Sequence, residues 1–201
     1  LVLVDTQYLK TLPQNQMRSG LAEMLKHGLI SNQNYWNKFK DIKALNLKDL
    51  DDLIYESILI KKQIVDQDPF EEHLRKSLNF GHTLGHAIES YFLSHPHKDD
   101  LLHGEAIAIG IVLAAYISHR CIDFPMAHTL EIKELLHHYF GRVDIDASDY
   151  QPIMDLMKYD KKNHHGNINF VLLKTMGEPK LDCLVENEII LEAFKFYAAA
   201  F

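Results

Sequence analysis

Cysteine is scarce. The 201-residue chain has two, Cys121 and Cys183, in no paired spacing. That excludes a disulfide framework and fits a reducing, cytoplasmic location. Positive charge is also in deficit, with 21 Lys and Arg against 28 Asp and Glu for a net charge of −7. Nucleic acid and acidic membrane surfaces are therefore not expected as partners. A small anionic ligand would need a local basic pocket against that field. No apolar run approaches the roughly 18–20 residues that a membrane span needs. None of the 9 glycines sits in a glycine-rich phosphate loop after a strand, so no dinucleotide fingerprint is present. The opening Leu1-Val-Leu-Val-Asp5-Thr has no basic segment before its apolar run and no cleavage site, so this segment is not expected to be a signal peptide. It also lacks Met. Four apolar residues followed by Asp read as the last strand of something upstream. Residues 1–14 are thus expected to be a remnant strand and linker, and the chain a piece of a longer one.

The content that remains is that of a globular domain with a real core, 47% hydrophobic and 24% charged. Periodicity predicts helices over about Met17–Ile30, Leu47–Val65, Glu71–Phe92, His103–Ile122, Pro125–Phe140 and Tyr150–Lys158. Asn32 and Asn34 mark a break, and Asp68-Pro69 ends the second helix. The His103 helix is apolar nearly all round, the mark of a buried central element. After Lys162 the period changes. Ile168, Phe170 and Leu172 alternate, as do Leu181, Cys183 and Val185, around Gly177-Glu-Pro, which predicts a β-hairpin. Asn187 is placed to cap a last helix to Ala199. The fold class is mainly α: a multi-helix domain with one small β-hairpin.

Histidine is the outlier, with 13 copies. His95, His97, His164 and His165 read as surface residues. His82 and His86 lie at i, i+4 in Asn79-Phe-Gly-His-Thr-Leu-Gly-His-Ala-Ile-Glu89 and project from one helix face. That spacing suits a metal or a substrate, and it suits a plain surface pair equally. Gly81 and Gly85 on a shared face admit close approach of a backbone or a ligand. His103 heads the apolar helix and needs either a polar partner or solvent. Glu23 and Lys26, one turn apart in Arg18-Ser-Gly-Leu-Ala-Glu-Met-Leu-Lys-His-Gly28, read by themselves as an ordinary surface ion pair. Arg75, Asn79, His82 and His86 fall on one predicted helical stripe with no reason to be a core face. Arg75 with Lys61 is the kind of pair that binds phosphate or carboxylate.

Together these segments resemble the 3-dehydroquinate synthase family. The match runs in order from the first residue to about Leu173. It takes in Lys61, Asp68-Pro-Phe-Glu71, Arg75, the double-histidine element, Leu102-His-Gly-Glu105 and Asp160-Lys-Lys. The resemblance implies Glu23, His82 and His103 as ligands of Zn2+ or Co2+. It implies His86 and Glu71 as proton-transfer residues. Lys26, Lys61, Arg75, Asn79 and one of Lys161 or Lys162, with Lys161 favoured, would contact a sugar phosphate. It further implies conversion of 3-deoxy-D-arabino-heptulosonate 7-phosphate to 3-dehydroquinate, with NAD as an internally recycled oxidant and a homodimer in the full-length enzyme. The family's NAD-binding N-terminal domain is expected to lie outside this chain, with residues 15–201 as the metal- and substrate-binding part, so the chain alone is expected to be inactive. His73-Leu74 stands where relatives often have Gly-Leu, and the Ser94–Asp100 loop is long. The rival readings are a related sugar-phosphate cyclase, a metal-dependent polyol dehydrogenase and a non-catalytic metal-binding helical domain.

Overall fold

The computed structural model describes residues 3–41, 47–157 and 168–199. Lys161, Lys162, His164 and His165 therefore lie outside the described residues. Residues 3–5 have no regular structure, and Thr6–Thr11 forms a 3-10 helix capped by the Asp5 carboxylate. Helix α1 (Gln14–Ser31) starts earlier than its periodicity indicates. It begins directly after Pro13, whose φ of −57° is already helical. Asn32 is more than a break. Its side chain accepts from the N–H groups of Asn34 and Tyr35 and opens a short helix, α2 (Gln33–Lys38). Helix α3 (Leu47–Gln67) stops before Asp68-Pro69, as expected.

The stretch predicted as one helix from Glu71 to Phe92 is two. Leu74–Asn79 is a 3-10 helix, Gly81 turns the chain at φ +78°, and α4 runs from His82 to Ser94. Arg75, Asn79, His82 and His86 consequently do not form one helical stripe. Asp68 is one cause, because its carboxylate accepts from the backbone N–H groups of Glu72, His73 and Arg75. Those donors fold the segment around a buried side chain instead of starting a helix.

Helix α5 (His103–Ile122) has the predicted bounds. It is followed by α6 (Met126–Phe140) and α7 (Ala147–Met157). Strands β1 (Phe170–Thr175) and β2 (Glu178–Cys183) form the predicted antiparallel hairpin, with Phe170 opposite Cys183 and Gly177 at φ +83° in the turn. Helix α8 (Asn187–Ala198) has Glu186, not Asn187, at its N-cap, and no side-chain cap bond. Asn187 has already entered helical geometry and cannot serve the role predicted for it.

The core is built around α5, which packs on α1, α4, α6, α8 and β1. Ile107, Ile111, Leu113 and Ile117 are fully buried, each contributing about 1.5–3 kcal/mol by leaving water. By length and composition α5 could cross a membrane, contrary to the reading of the sequence, and 67% of its most apolar window is buried within the chain. A core helix passes the same test.

The α4–α5 contact is closer than side chains permit. A Cβ on Gly110 would lie 2.1 Å from the Gly81 carbonyl oxygen and 2.7 Å from the Gly85 nitrogen. The shared face of Gly81 and Gly85 thus receives another backbone, one of the two possibilities its sequence left open. Gly110→Ala is expected to destabilise the chain by about 3 kcal/mol, the upper end of overpacking costs, because the obstructing atoms are main chain. Urea unfolding monitored by circular dichroism measures it.

Candidate metal and substrate site

Three helices converge on the site: α1 brings Glu23, α4 brings His82 and His86, and α5 brings His103. The convergence is fixed by contacts between two sequence motifs. The Ser19 hydroxyl accepts from the Gly104 N–H at 2.8 Å, and Arg18 pairs with Glu105 at 3.4 Å. Glu105 also accepts from the Leu102 N–H at 3.0 Å and so caps α5. A Cβ at Gly104 would sit 2.0 Å from the Ser19 carbonyl oxygen. Arg18-Ser19 and Gly104-Glu105 are complementary halves of one joint, with Glu23 and His103 a short way beyond it.

The donor atoms of His82, His86 and His103 all lie within 4.8 Å of one another. Ring centroids are 5.1 Å apart for His82 and His86, 5.9 Å for His82 and His103, and 5.7 Å for His86 and His103. Glu23 Oε1 is 3.4 Å from His82 Nε2. His82 Nδ1 lies 3.2 Å from the Phe80 carbonyl oxygen, which can only accept, so in the neutral ring Nδ1 carries the proton and Nε2 is the lone-pair donor. Glu23 Oε1 is itself buried beside that nitrogen. Such a pair is held either by a proton that His82 donates or by a shared cation. Two donors bound tetrahedrally at about 2.1 Å from one zinc ion would stand about 3.4 Å apart, so the residues fit a metal.

Electrostatics agree. Burial opposes the charge on Glu23, but His82 and Lys26 outweigh it and hold the carboxyl well below its usual range. Burial, with Lys26 nearby, pushes the His82 imidazole below its ordinary value despite Glu23. A carboxylate and a neutral imidazole are the forms a metal requires. Lys26 bonds Glu23 at 2.8 Å while only 2% exposed. It is therefore a buried pair at the site and not the surface pair its spacing suggests.

An open cleft of about 540 Å³ adjoins the metal donors. Glu23, Lys26, Lys61, Glu71, Arg75, Asn79 and His82, all singled out in the sequence, line it. This is the local basic pocket that an acidic chain would need for an anion. Glu71 Oε1 accepts from Asn79 at 2.8 Å, and its φ is +60°, a strained value for a residue with a long side chain. Asp68 sustains this turn. Burial opposes its charge, but the N–H groups of Arg75, His73 and Glu72 hold its carboxyl below the usual range. The Arg75 guanidinium bonds the Pro69 carbonyl at 2.7 Å. Lys161 lies outside the described residues.

His27 also lines the cleft and was missed in the sequence, although Glu23, Lys26 and His27 stand at i, i+3, i+4. It is buried, with Nδ1 2.7 Å from the Ser57 hydroxyl. A second, apolar groove of about 720 Å³ runs between the N-terminal segment and helices α1 and α3, lined by Leu9, Leu12, Met17 and Ile54 among others.

The fold and site define a helical domain with a candidate metal centre at one end of a cleft suited to a small anion. The family model for the 3-dehydroquinate synthase C-terminal region matches residues 20–163. The 3-dehydroquinate synthase of Parabacteroides distasonis is 42% identical over 202 residues, covering 100% of this chain and 57% of that protein. That of Listeria monocytogenes serotype 4b is 39% identical, covering 96% and 53%. Among solved structures, a 2-deoxy-scyllo-inosose synthase complexed with carbaglucose-6-phosphate, NAD+ and Co2+ superposes with a TM-score of 0.78 at 28% identity, covering 96% of this chain and 54% of the other. A 2-epi-5-epi-valiolone synthase from Streptomyces hygroscopicus with NAD+ and Zn2+ bound shares the fold with a TM-score of 0.79 at 21% identity. The chain belongs to the 3-dehydroquinate synthase family. It spans about half the length of the curated relatives it matches.

Burial and Lys26 push the His27 imidazole down to about 4 from 6.5. An unfolded chain takes up a proton there below about pH 6.5 that the folded chain refuses until about pH 4, so stability falls as pH drops through that window. The loss is expected to reach about 3 kcal/mol at pH 4. His27→Asn, which keeps a donor for Ser57, should flatten this part of the curve when urea unfolding is repeated across the range.

Proposed function

We propose that this chain is the metal- and substrate-binding part of a 3-dehydroquinate synthase. The reaction is a carbon–oxygen lyase step sequence that takes 3-deoxy-D-arabino-heptulosonate 7-phosphate to 3-dehydroquinate and phosphate, in the shikimate route to aromatic amino acids. The observation that carries the reading is the Glu23–His82 donor pair, 3.4 Å apart, on the wall of a cleft that Lys26, Lys61 and Arg75 also line.

Glu23, His82 and His103 would hold Zn2+ or Co2+, leaving coordination positions for substrate oxygens. Bound there, the metal supplies Lewis-acid polarisation of a hydroxyl or ketone oxygen. Lys26, Lys61, Arg75 and Asn79 bind and orient the phosphate and carboxylate, with Lys161 assigned to the same task. The Arg75 guanidinium can grip an anion through two N–H groups. Glu71 and His86 move protons. Glu71 is held for this by the Asn79 amide and its constrained backbone, and an imidazole is matched to proton transfer near neutral pH. We assign NAD to the part of the relatives' length that this chain does not span, and we place the enzyme in the cytoplasm as a homodimer.

A related sugar-phosphate cyclase is the second reading, favoured by the likeness to 2-deoxy-scyllo-inosose synthase. Identifying the carbocycle formed when this chain is joined to the N-terminal part of the Parabacteroides relative separates the two.

Two outcomes are expected of the chain itself. Calorimetric titration should find one Zn2+ per chain, and His82→Ala should weaken it by more than the about 10–100-fold that loss of a supporting residue costs. Equal affinity in the two proteins removes His82 from the ligand set. Incubated with the heptulosonate phosphate and NAD, the chain alone should release no phosphate. Steady release would show that it needs no further domain.

A further inference from the structure

The double-histidine element ends in a carboxylate, Glu89. Glu89 lies seven residues after His82 on α4, about two turns along, so both side chains leave from nearly the same face. Its Oε2 is 3.0 Å from His103 Nδ1. The bond crosses from α4 to the first residue of α5, where the His103 side chain is 44% exposed. Exposed pairs of this kind usually contribute little to stability, so the bond calls for another explanation.

Neutral imidazole carries one ring proton, and the other nitrogen then presents a lone pair. A neutral imidazole that bonds a carboxylate through Nδ1 keeps its proton there and leaves Nε2 as the lone-pair donor. His82 is set the same way by a different acceptor, the Phe80 carbonyl at 3.2 Å. Two histidines from different helices therefore have Nδ1 tied back and Nε2 available, and their rings meet within one cluster at 5.9 Å. A backbone carbonyl can do this for His82 because Phe80 is two residues away. His103 begins its helix and obtains its acceptor from a neighbouring one.

We propose that Glu89 is a positioning residue for the metal centre: it fixes the tautomer and ring direction of His103 so that Nε2 faces the other donors. The proposal rests on reading His103 as a metal ligand. Glu89 is half-exposed, and its replacement should not threaten folding.

The test compares the chain with Glu89→Ala and Glu89→Gln. Long-range proton–nitrogen NMR on the metal-free proteins, at a pH where His103 is neutral, reports which ring nitrogen is protonated. Calorimetry reports Zn2+ affinity. The unaltered chain should show His103 protonated on Nδ1. Glu89→Ala should move the proton toward Nε2, the form favoured in water, and weaken Zn2+ binding about 10–100-fold. Glu89→Gln, which keeps an acceptor oxygen, should restore much of both. An unchanged tautomer in Glu89→Ala overturns the proposal, as does a changed tautomer with unchanged Zn2+ affinity. If the unaltered chain binds no Zn2+ while the tautomer still responds to Glu89→Ala, the metal reading fails and the control of His103 by Glu89 stands.

Discussion

The site depends on how closely α5 approaches its neighbours. Gly110 meets the backbone of Gly81 and Gly85, and Gly104 meets the backbone of Ser19. No side chain intervenes at either place, so the spacing of α1, α4 and α5 is set by main-chain contact and cannot relax through rotamer changes. Each of these helices carries at least one candidate metal donor. Donor atoms contributed by separate helices must be held to within a fraction of an ångström, and backbone against backbone is the stiffest way to do so. The apolar residues of α5 supply the energy of association, and the glycines set its distance.

A second constraint is charge. In a chain of net charge −7, Lys26, Lys61 and Arg75 are gathered on one cleft. Lys26 is buried against Glu23, so the two arrive as a nearly neutral pair, and a cation shared with His82 would leave Lys26 facing the anion side. Buried Asp68 gathers three backbone N–H groups and sustains the turn in which Glu71 is left-handed. The strain at Glu71 is offset there.

Much of this was legible in the sequence because it is local. The His82–His86 spacing, the limits of α5, the hairpin and the stop at Asp68-Pro69 all follow from short-range rules. What failed was of two kinds. The break before His82 is the left-handed turn at Gly81, and the irregular stretch ahead of it depends on Asp68 reaching the N–H groups of Glu72, His73 and Arg75. The status of Lys26 depends on burial by other elements, which a spacing of i, i+3 does not encode. The resemblance joined into one site seven residues that the fold brings to one cleft, among them Lys61 and Glu71, which no periodicity connects to Glu23. It gave no role to Glu89 or His27, although both sit inside the quoted motifs. The joint between Arg18-Ser19 and Gly104-Glu105 also lay open in the text, as two short motifs whose relation becomes visible only in three dimensions.

Helix α4 carries three candidate functional side chains, His82, His86 and Glu89, over two turns that lie against α5. A substitution at exposed Ser90, beyond that run, is expected to leave the arrangement intact. Insertion or deletion of one residue between His82 and Glu89 does not, because it turns everything downstream by about 100° and shifts it by about 1.5 Å. The carboxylate would then leave His103, or the histidines would part. Over this segment the number of residues is fixed as firmly as buried Leu84, Gly85, Ala87 and Ile88 are. The loop from 95 to 102, which joins two firmly packed helices across open surface, is where length is free to vary.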